Sequence, residues 1–258
     1  MTRNDVDTGL WIRRFQPWDA APSRVVCFPH AGGAASYFVP LSRALAGKSE
    51  VLAIQYPGRQ DRRTEKGIDN IPELADAVTS VLRSSLDRPT VVFGHSMGAT
   101  LGFEVVRRLE RGGVFPTALV VSGRVGPTRT RDETAHLEDD DGLLAAVKAL
   151  SGTDEKFFGD EELLRMILPA LRIDYTAAET YRYTPGPLLR TPIHAHVGDS
   201  DPKATIDEVR DWANHTTGPF SLRTHPGGHF YLNTRAAELT QAIVDILDRA
   251  VETTDSGC

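Results

Sequence analysis

Short, almost wholly apolar runs alternate along this chain with longer stretches in which apolar residues recur every three or four positions. Val25-Val26-Cys27-Phe28, Val51-Leu52-Ala53-Ile54, Val91-Val92-Phe93 and Ala118-Leu119-Val120-Val121 are runs of the first kind. They lack polar alternation, as expected of strands covered on both faces. Between them, Ser36 to Leu45 reads as a helix, and so does Ile71 to Leu86, with Leu74, Val78, Val81 and Leu82 on one face. A further helix carries Leu101, Val105 and Leu109 and is stopped by Gly112-Gly113. Leu10 to Phe15 suits an edge strand. From Arg124 to Arg190 no strand is expected. Helices are predicted at Glu138 to Ala149 and Glu161 to Tyr183, separated by Gly152 and a Phe157-Phe158-Gly159 turn, and Pro169 should start or kink a helix. Alternation then resumes with a strand at Ile193 to Val197, a helix at Ile206 to Asn214, a strand at Phe220 to Thr224 and a last helix from about Thr234 to Val251. The pattern predicts an α/β fold, a mostly parallel sheet with helices on both faces. Residues 1–258 read as one domain, with a helical lid insertion at about 125–190 over the carboxyl edge of the sheet, where ligands of such sheets bind.

Composition narrows the class. Hydrophobic residues make up 40% and charged residues 25%, ordinary values for a soluble globular protein. The formal net charge of −6 gives no footing for nucleic-acid binding. No apolar run reaches membrane-spanning length, and Met1 to Asp7 lacks an apolar leader, so the expected location is the cytoplasm. The two cysteines, Cys27 and Cys258, do not form a disulfide framework. Neither metal-ligand spacing nor a phosphate-binding glycine pattern is present, so no metal and no cofactor are expected. A monomer is expected because no association helix stands out.

The chemistry centres on Gly94-His95-Ser96-Met97-Gly98, a G-x-S-x-G box between a buried-type strand and a helix. That context is the nucleophile elbow, a sharp turn that lifts one serine above the sheet. Bulk at positions 94 and 98 would collide across it. The amides of Ser96 and Met97 are expected at the positive end of the following helix, where an oxyanion is favoured. Ser96 needs a base, and His229, in Pro226-Gly227-Gly228-His229-Phe230 between the last strand and the last helix, is the candidate among eight histidines. His95 should turn away from Ser96 as a packing or orienting residue, His30 should have a structural hydrogen-bonding role rather than acid–base work, and His194 and His196 should face packing or solvent. An orienting carboxylate is offered by Asp199 or Asp201 in Gly198-Asp199-Ser200-Asp201-Pro202, which gives the order Ser, Asp, His found in α/β-hydrolases. Pro29-His30-Ala31-Gly32-Gly33 suits a second oxyanion loop, so the backbone N–H groups of Ala31 and Met97 are assigned to the oxyanion hole.

These motifs, together with Trp11-Ile12-Arg13-Arg14-Phe15, Gln55-Tyr56-Pro57-Gly58-Arg59 and Leu171-Arg172-Ile173-Asp174-Tyr175, occur in the order found in type II thioesterases. The chain resembles that family over nearly its whole length. These are free-standing α/β-hydrolases of polyketide synthase and nonribosomal peptide synthetase pathways. The resemblance implies a triad of Ser96, Asp201 and His229, preferring Asp201 over Asp199. It also implies hydrolysis of stalled or misprimed acyl groups from the phosphopantetheine thiol of an acyl- or peptidyl-carrier protein. Competing readings are a product-releasing thioesterase, a general carboxylesterase and a non-catalytic scaffold. Phe157, Phe158, Leu163, Leu164, Met166, Ile167 and Leu171 are candidates for core packing or an acyl chamber. Carrier proteins are generally acidic, so two basic clusters are candidate docking patches: Arg59, Arg62, Arg63 and Lys66, and Arg124, Arg129 and Arg131.

Overall fold

The computed structural model describes residues 8–151 and 161–255. Seven strands form one sheet: β1 (Ile12–Arg13), β2 (Arg24–Phe28), β3 (Glu50–Ile54), β4 (Thr90–His95), β5 (Ala118–Ser122), β6 (Ile193–Gly198) and β7 (Phe220–His225). Their spatial order is β1-β3-β2-β4-β5-β6-β7. β1 is antiparallel to β3, with Ile12 opposite Ile54, and every other pairing is parallel. The edge strand expected at Leu10 to Phe15 keeps only two residues, because residues 8–11 are helical.

The helices are α1 (Val39–Ala44), α2 (Ile71–Leu82), α3 (Met97–Arg111), α4 (Asp140–Ser151), α5 (Glu161–Thr180), α6 (Ile206–Arg210) and α7 (Ala236–Asp255). Several predicted helices divide at their ends into tighter turns. Ala35–Phe38 precedes α1, Arg83–Ser85 follows α2 and Asp211–His215 follows α6. Local chemistry sets the starts. Asn70 accepts the Glu73 N–H at 3.0 Å at the head of α2, and Thr205 and Glu208 form a reciprocal capping box on α6.

Successive strand residues point to opposite faces, so the unbroken apolar runs supply two cores. Val26, Phe28, Leu52, Ile54 and Val92 pack with Leu74 and Val78 of α2 and Leu101 and Val105 of α3. Val25, Cys27, Val51, Ala53 and Phe93 pack on the other face with Leu239, Ile243 and Leu247 of α7. Each such fully buried aliphatic or aromatic side chain contributes roughly 1.5–3 kcal/mol over exposure.

The segment between β5 and β6 contains α4 and α5 and no strand among the described residues. Leu143, Leu144 and Val147 of α4 meet Leu168, Leu171 and Tyr175 of α5 in a third apolar cluster, which rests on Ala31. Helix α5 runs through Pro169 instead of starting there. Proline removes one main-chain hydrogen bond, and burial of Leu168, Ala170 and Leu171 beside it favours the continuous helix. The Phe157-Phe158-Gly159 turn lies outside the described residues.

Candidate active site

Strand β4 delivers Ser96 at the carboxyl edge of the sheet. Ser96 adopts φ 54° and ψ −120°, a backbone conformation rare for a side chain other than glycine, and α3 begins at the next residue. The turn is so tight that a Cβ on Gly94 would fall 2.1 Å from the Gly98 carbonyl oxygen. The structure departs from expectation at the Ser96 amide. The Ser96 amide does not face an oxyanion, because it donates to the Ser122 carbonyl at 2.8 Å and extends the β4–β5 ladder. The Met97 amide is the first of α3 and has no intrahelical acceptor. In the loop after β2, the Gly32 amide donates to Asp174 Oδ2 at 2.7 Å and the Gly33 amide to the His30 carbonyl at 2.9 Å. Ala31 directly precedes these two occupied amides and lines the same cavity as Ser96 and Met97.

The loops after β6 and β7 bring the remaining side chains to Ser96. Ser96 Oγ lies 3.0 Å from His229 Nε2, and His229 Nδ1 lies 3.0 and 2.9 Å from the two oxygens of Asp201. His229 and Asp201 are buried, and Asp201 also accepts the Lys203 amide at 2.8 Å. Asp199 is exposed and elsewhere. It accepts the Gly227 amide and the Ser200 hydroxyl, both at 3.0 Å, and so braces the two loops against each other. Those bonds, the Gly227 amide foremost, hold its carboxyl below the usual carboxylate range. A Cβ on Gly198 would fall 2.3 Å from the Gly227 and Gly228 carbonyl oxygens, so the approach of the Asp201 and His229 loops requires glycine there.

Beneath this series lies a buried polar network. His95 Nδ1 is 2.9 Å from Ser122 Oγ, which is 2.7 Å from the Tyr231 hydroxyl. The His95 ring stands 4.9 Å from that of His229. Tyr231 stacks on His225, whose Nε2 is 3.0 Å from His196 Nδ1. The orienting role expected of His95 fits this placement, and His196 is buried rather than facing solvent. The hydrogen-bonding role expected of His30 is not what the structure shows: its ring packs edge-on against Tyr37 and Phe230, and its buried Nδ1 has no hydrogen-bond partner among the described residues. Burial lowers His30 and His196 to about 3 each, helped at His30 by the neighbouring His229 and at His196 by His225, and burial pushes His95 well down. Between the ordinary histidine value and about 3, the unfolded chain therefore binds protons at His30 and His196 that the folded chain refuses. Stability must fall as pH drops through that window, by up to about 1.4 kcal/mol per pH unit for each histidine. Urea midpoints are expected to drop between neutral pH and about two units lower. Unchanged midpoints would contradict the buried neutral histidines.

The basic clusters do not form the expected patches. Arg59 is buried in an ion pair with Asp174 of α5, and its Nε donates to the Gly33 carbonyl at 3.3 Å. Arg62 is also buried. It pairs with Glu65 at 2.6 Å, donates to the Gln55 carbonyl at 2.8 Å and lies over the Trp11 ring. Arg63 and Lys66 remain exposed. Arg129 pairs with Asp211 and Arg131 with Glu208, while Arg124 is half-buried beside the Ser96 cavity. Adjacency in sequence had suggested a surface, but the side chains tie loops together.

Two cavities meet at Ala31. One, of about 40 Å³, is lined by Ser96, Met97, Arg124, Glu133, Tyr175 and Glu179 among others. The other, of about 140 Å³, is lined by Tyr37, Ile167, Leu171 and Phe230 among others. Ile167 and Leu171 thus face a cavity, whereas Met166 is 68% exposed. Phe157 and Phe158, and the side chains of Leu163 and Leu164, lie outside the described residues. Among the described residues no helix is long and apolar enough to cross a membrane.

A parallel sheet with a serine elbow and an imidazole–carboxylate pair at its carboxyl edge defines an α/β-hydrolase. The thioesterase-domain family profile matches residues 23–250, and the chain belongs to that family. It is 50% identical to thioesterase PikA5 of Streptomyces venezuelae over 245 residues, 94% of this chain and 87% of that protein. It is 47% identical to a probable cadicidin biosynthesis thioesterase of Streptomyces griseus over 252 residues, 97% of this chain and 70% of the other. The solved type II thioesterase BorB of the borrelidin biosynthetic cluster superposes with a TM-score of 0.90 at 51% identity, covering 92% of this chain and 98% of BorB. With these relatives the chain groups among the type II thioesterases and is a thioester hydrolase.

Proposed function

We propose that this enzyme removes stalled or misprimed acyl groups from the phosphopantetheine thiol of acyl- or peptidyl-carrier proteins, through an acyl-Ser96 intermediate. The observation that carries the reading is the hydrogen-bonded series Ser96–His229–Asp201 beside the Ala31 and Met97 amides, in a member of the thioesterase family. Ser96 Oγ attacks the thioester carbonyl while His229 Nε2 takes the hydroxyl proton. Asp201 holds the His229 tautomer and stabilises the imidazolium. The Ala31 and Met97 N–H groups receive the oxyanion, and the C–S bond breaks to release the pantetheine thiol with the proton from His229. A thiol of pKa near ~8.5 leaves far more readily than an amine, so His229 has a lighter task as acid than in amide cleavage. Water activated by His229 then attacks the ester and frees Ser96 with release of the acid.

The reading takes the chain as one hydrolase unit, with the segment at about 125–190 as its lid, working as a cytoplasmic monomer without a metal or cofactor. Relatives named for cadicidin biosynthesis, the borrelidin biosynthetic cluster and the yersiniabactin NRPS/PKS pathway support the carrier-bound substrate. Intact-protein mass spectrometry of carrier proteins loaded with acetyl, propionyl or a mature chain tests it. Loss of the short acyl groups with the wild type and not with Ser96→Ala is expected. Loss of the mature chain alone would make this a product-releasing enzyme. Cleavage of small esters with every loaded carrier left intact would make it a general esterase.

A further inference from the structure

Ser122, the last residue of β5, takes no part in the reaction, yet it is bonded to both segments that must meet for it. Its side chain is fully buried, and Tyr231 is nearly so. The Ser122 carbonyl accepts the Ser96 amide at 2.8 Å, and its Oγ lies 2.9 Å from His95 Nδ1 and 2.7 Å from the Tyr231 hydroxyl. Tyr231 follows His229 by two residues and belongs to the same turn, in which its amide donates to the Gly228 carbonyl at 3.2 Å. A single residue thus joins the elbow to the loop of the base, although Ser96 and His229 are 133 positions apart. The next residue reaches the third segment. Gly123 has φ 58°, and a Cβ there would fall 2.6 Å from His95 Cε1 and 3.4 Å from Asp201 Oδ2.

The base is held from two directions. Before His229, the Gly227 amide donates to Asp199 at 3.0 Å, which braces that side of the loop against the loop after β6. After His229, the Tyr231 hydroxyl ties the loop to β5, the strand that also accepts the Ser96 amide. Tyr231 is a firm anchor because its ring stacks on His225, with 4.6 Å between centroids, and His225 Nδ1 lies 3.1 Å from Glu238 Oε2 of α7. Proton transfer from Ser96 Oγ to His229 Nε2 depends on their separation, which is sensitive at the scale of about 1 Å. We propose that Ser122 and Tyr231 are positioning residues: the bond between their hydroxyls holds His229 in register with Ser96, and neither touches the substrate. The assignment rests on the reading that Ser96 and His229 carry out the hydrolysis.

Tyr231→Phe and Ser122→Ala, singly and together, test it on an acyl-pantetheine thioester. Each single variant is expected to lose about 10- to 100-fold in kcat with KM changed less than about twofold, the pattern of a reacting pair displaced without loss of substrate binding. Both substitutions break the same bond, so the double variant should lose no more than about twofold beyond Ser122→Ala. Urea midpoints are measured alongside. A bond that serves stability alone would lower the midpoint and leave the kcat of the folded variants within about twofold of the wild type, and that result overturns the assignment. Losses that multiply in the double variant, or a raised KM at constant kcat, overturn it as well. Should Ser122→Ala fail to fold, Tyr231→Phe, which deletes one hydroxyl, decides by the same kcat and KM readings. If the wild type hydrolyses no thioester, or Ser96→Ala matches it, the catalytic reading fails and the positioning role with it. Activity that is lost in Ser96→Ala and unchanged in Tyr231→Phe removes the positioning role alone.

Discussion

His229→Ala is expected to lower kcat/KM for thioester hydrolysis by about 10,000- to 1,000,000-fold, the range seen when a hydrolase triad loses its base. Among the described residues, His229 is the one base hydrogen-bonded to Ser96 Oγ. Ser96 Oγ is within hydrogen-bond reach of His229 Nε2 at 3.0 Å, and His95, although its ring is 4.9 Å from that of His229, is tied to Ser122 Oγ through Nδ1. Asp201→Asn should cost about 100- to 10,000-fold, because an amide at that position favours the wrong imidazole tautomer. The thiol leaving group makes the lower part of that range the expected one. Asp199→Asn supplies the contrast. Its carboxylate is exposed and engages only Gly227 and Ser200, so a loss of less than about threefold is expected, in line with other exposed substitutions. Steady-state kinetics on an acyl-pantetheine thioester, with circular dichroism to check folding, would read all three. Retention of more than about a tenth of the activity by His229→Ala, or equal losses for the two aspartates, would remove His229 or Asp201 from the assigned roles.

The strands were legible because both faces of this sheet are covered, which leaves unbroken apolar runs such as Val25 to Phe28 and Val91 to Phe93. The elbow was legible for a related reason. Its glycines are demanded by backbone contacts within a few residues, and those demands are written in local sequence. Tertiary ties were not legible. Arg59 and Arg62 read as surface charge until their partners are known, and Asp174 lies 115 positions from Arg59. Periodicity says that a helix has a face but not what stands opposite it. The Ser96 amide was misplaced for a comparable reason, since the Ser122 carbonyl that receives it belongs to a neighbouring strand.

The Arg59–Asp174 tie leads to the second large effect. Asp174 joins three segments: Oδ2 accepts the Gly32 amide at 2.7 Å, and Oδ1 meets Arg59, which also reaches the Gly33 carbonyl. It thereby fixes α5 to the loop that carries Ala31. Asp174→Ala leaves a buried guanidinium without its carboxylate and the Gly32 N–H without an acceptor. Removal of one partner from such a pair costs about 3–5 kcal/mol, enough to threaten folding in a protein of ordinary stability. Asp174→Asn separates the two functions, because its carbonyl oxygen can still accept from Gly32 while the charge pairing is lost. It should therefore lower the urea midpoint yet lose less kcat than Asp174→Ala. In the double variant Arg59→Met, Asp174→Leu, a buried charge no longer lacks a partner, so stability should recover substantially. The loop tether is still missing, so kcat should remain low with KM changed less. Recovery of both stability and kcat in the double variant would show that Ala31 holds its place without Asp174, and the tie would then be structural alone.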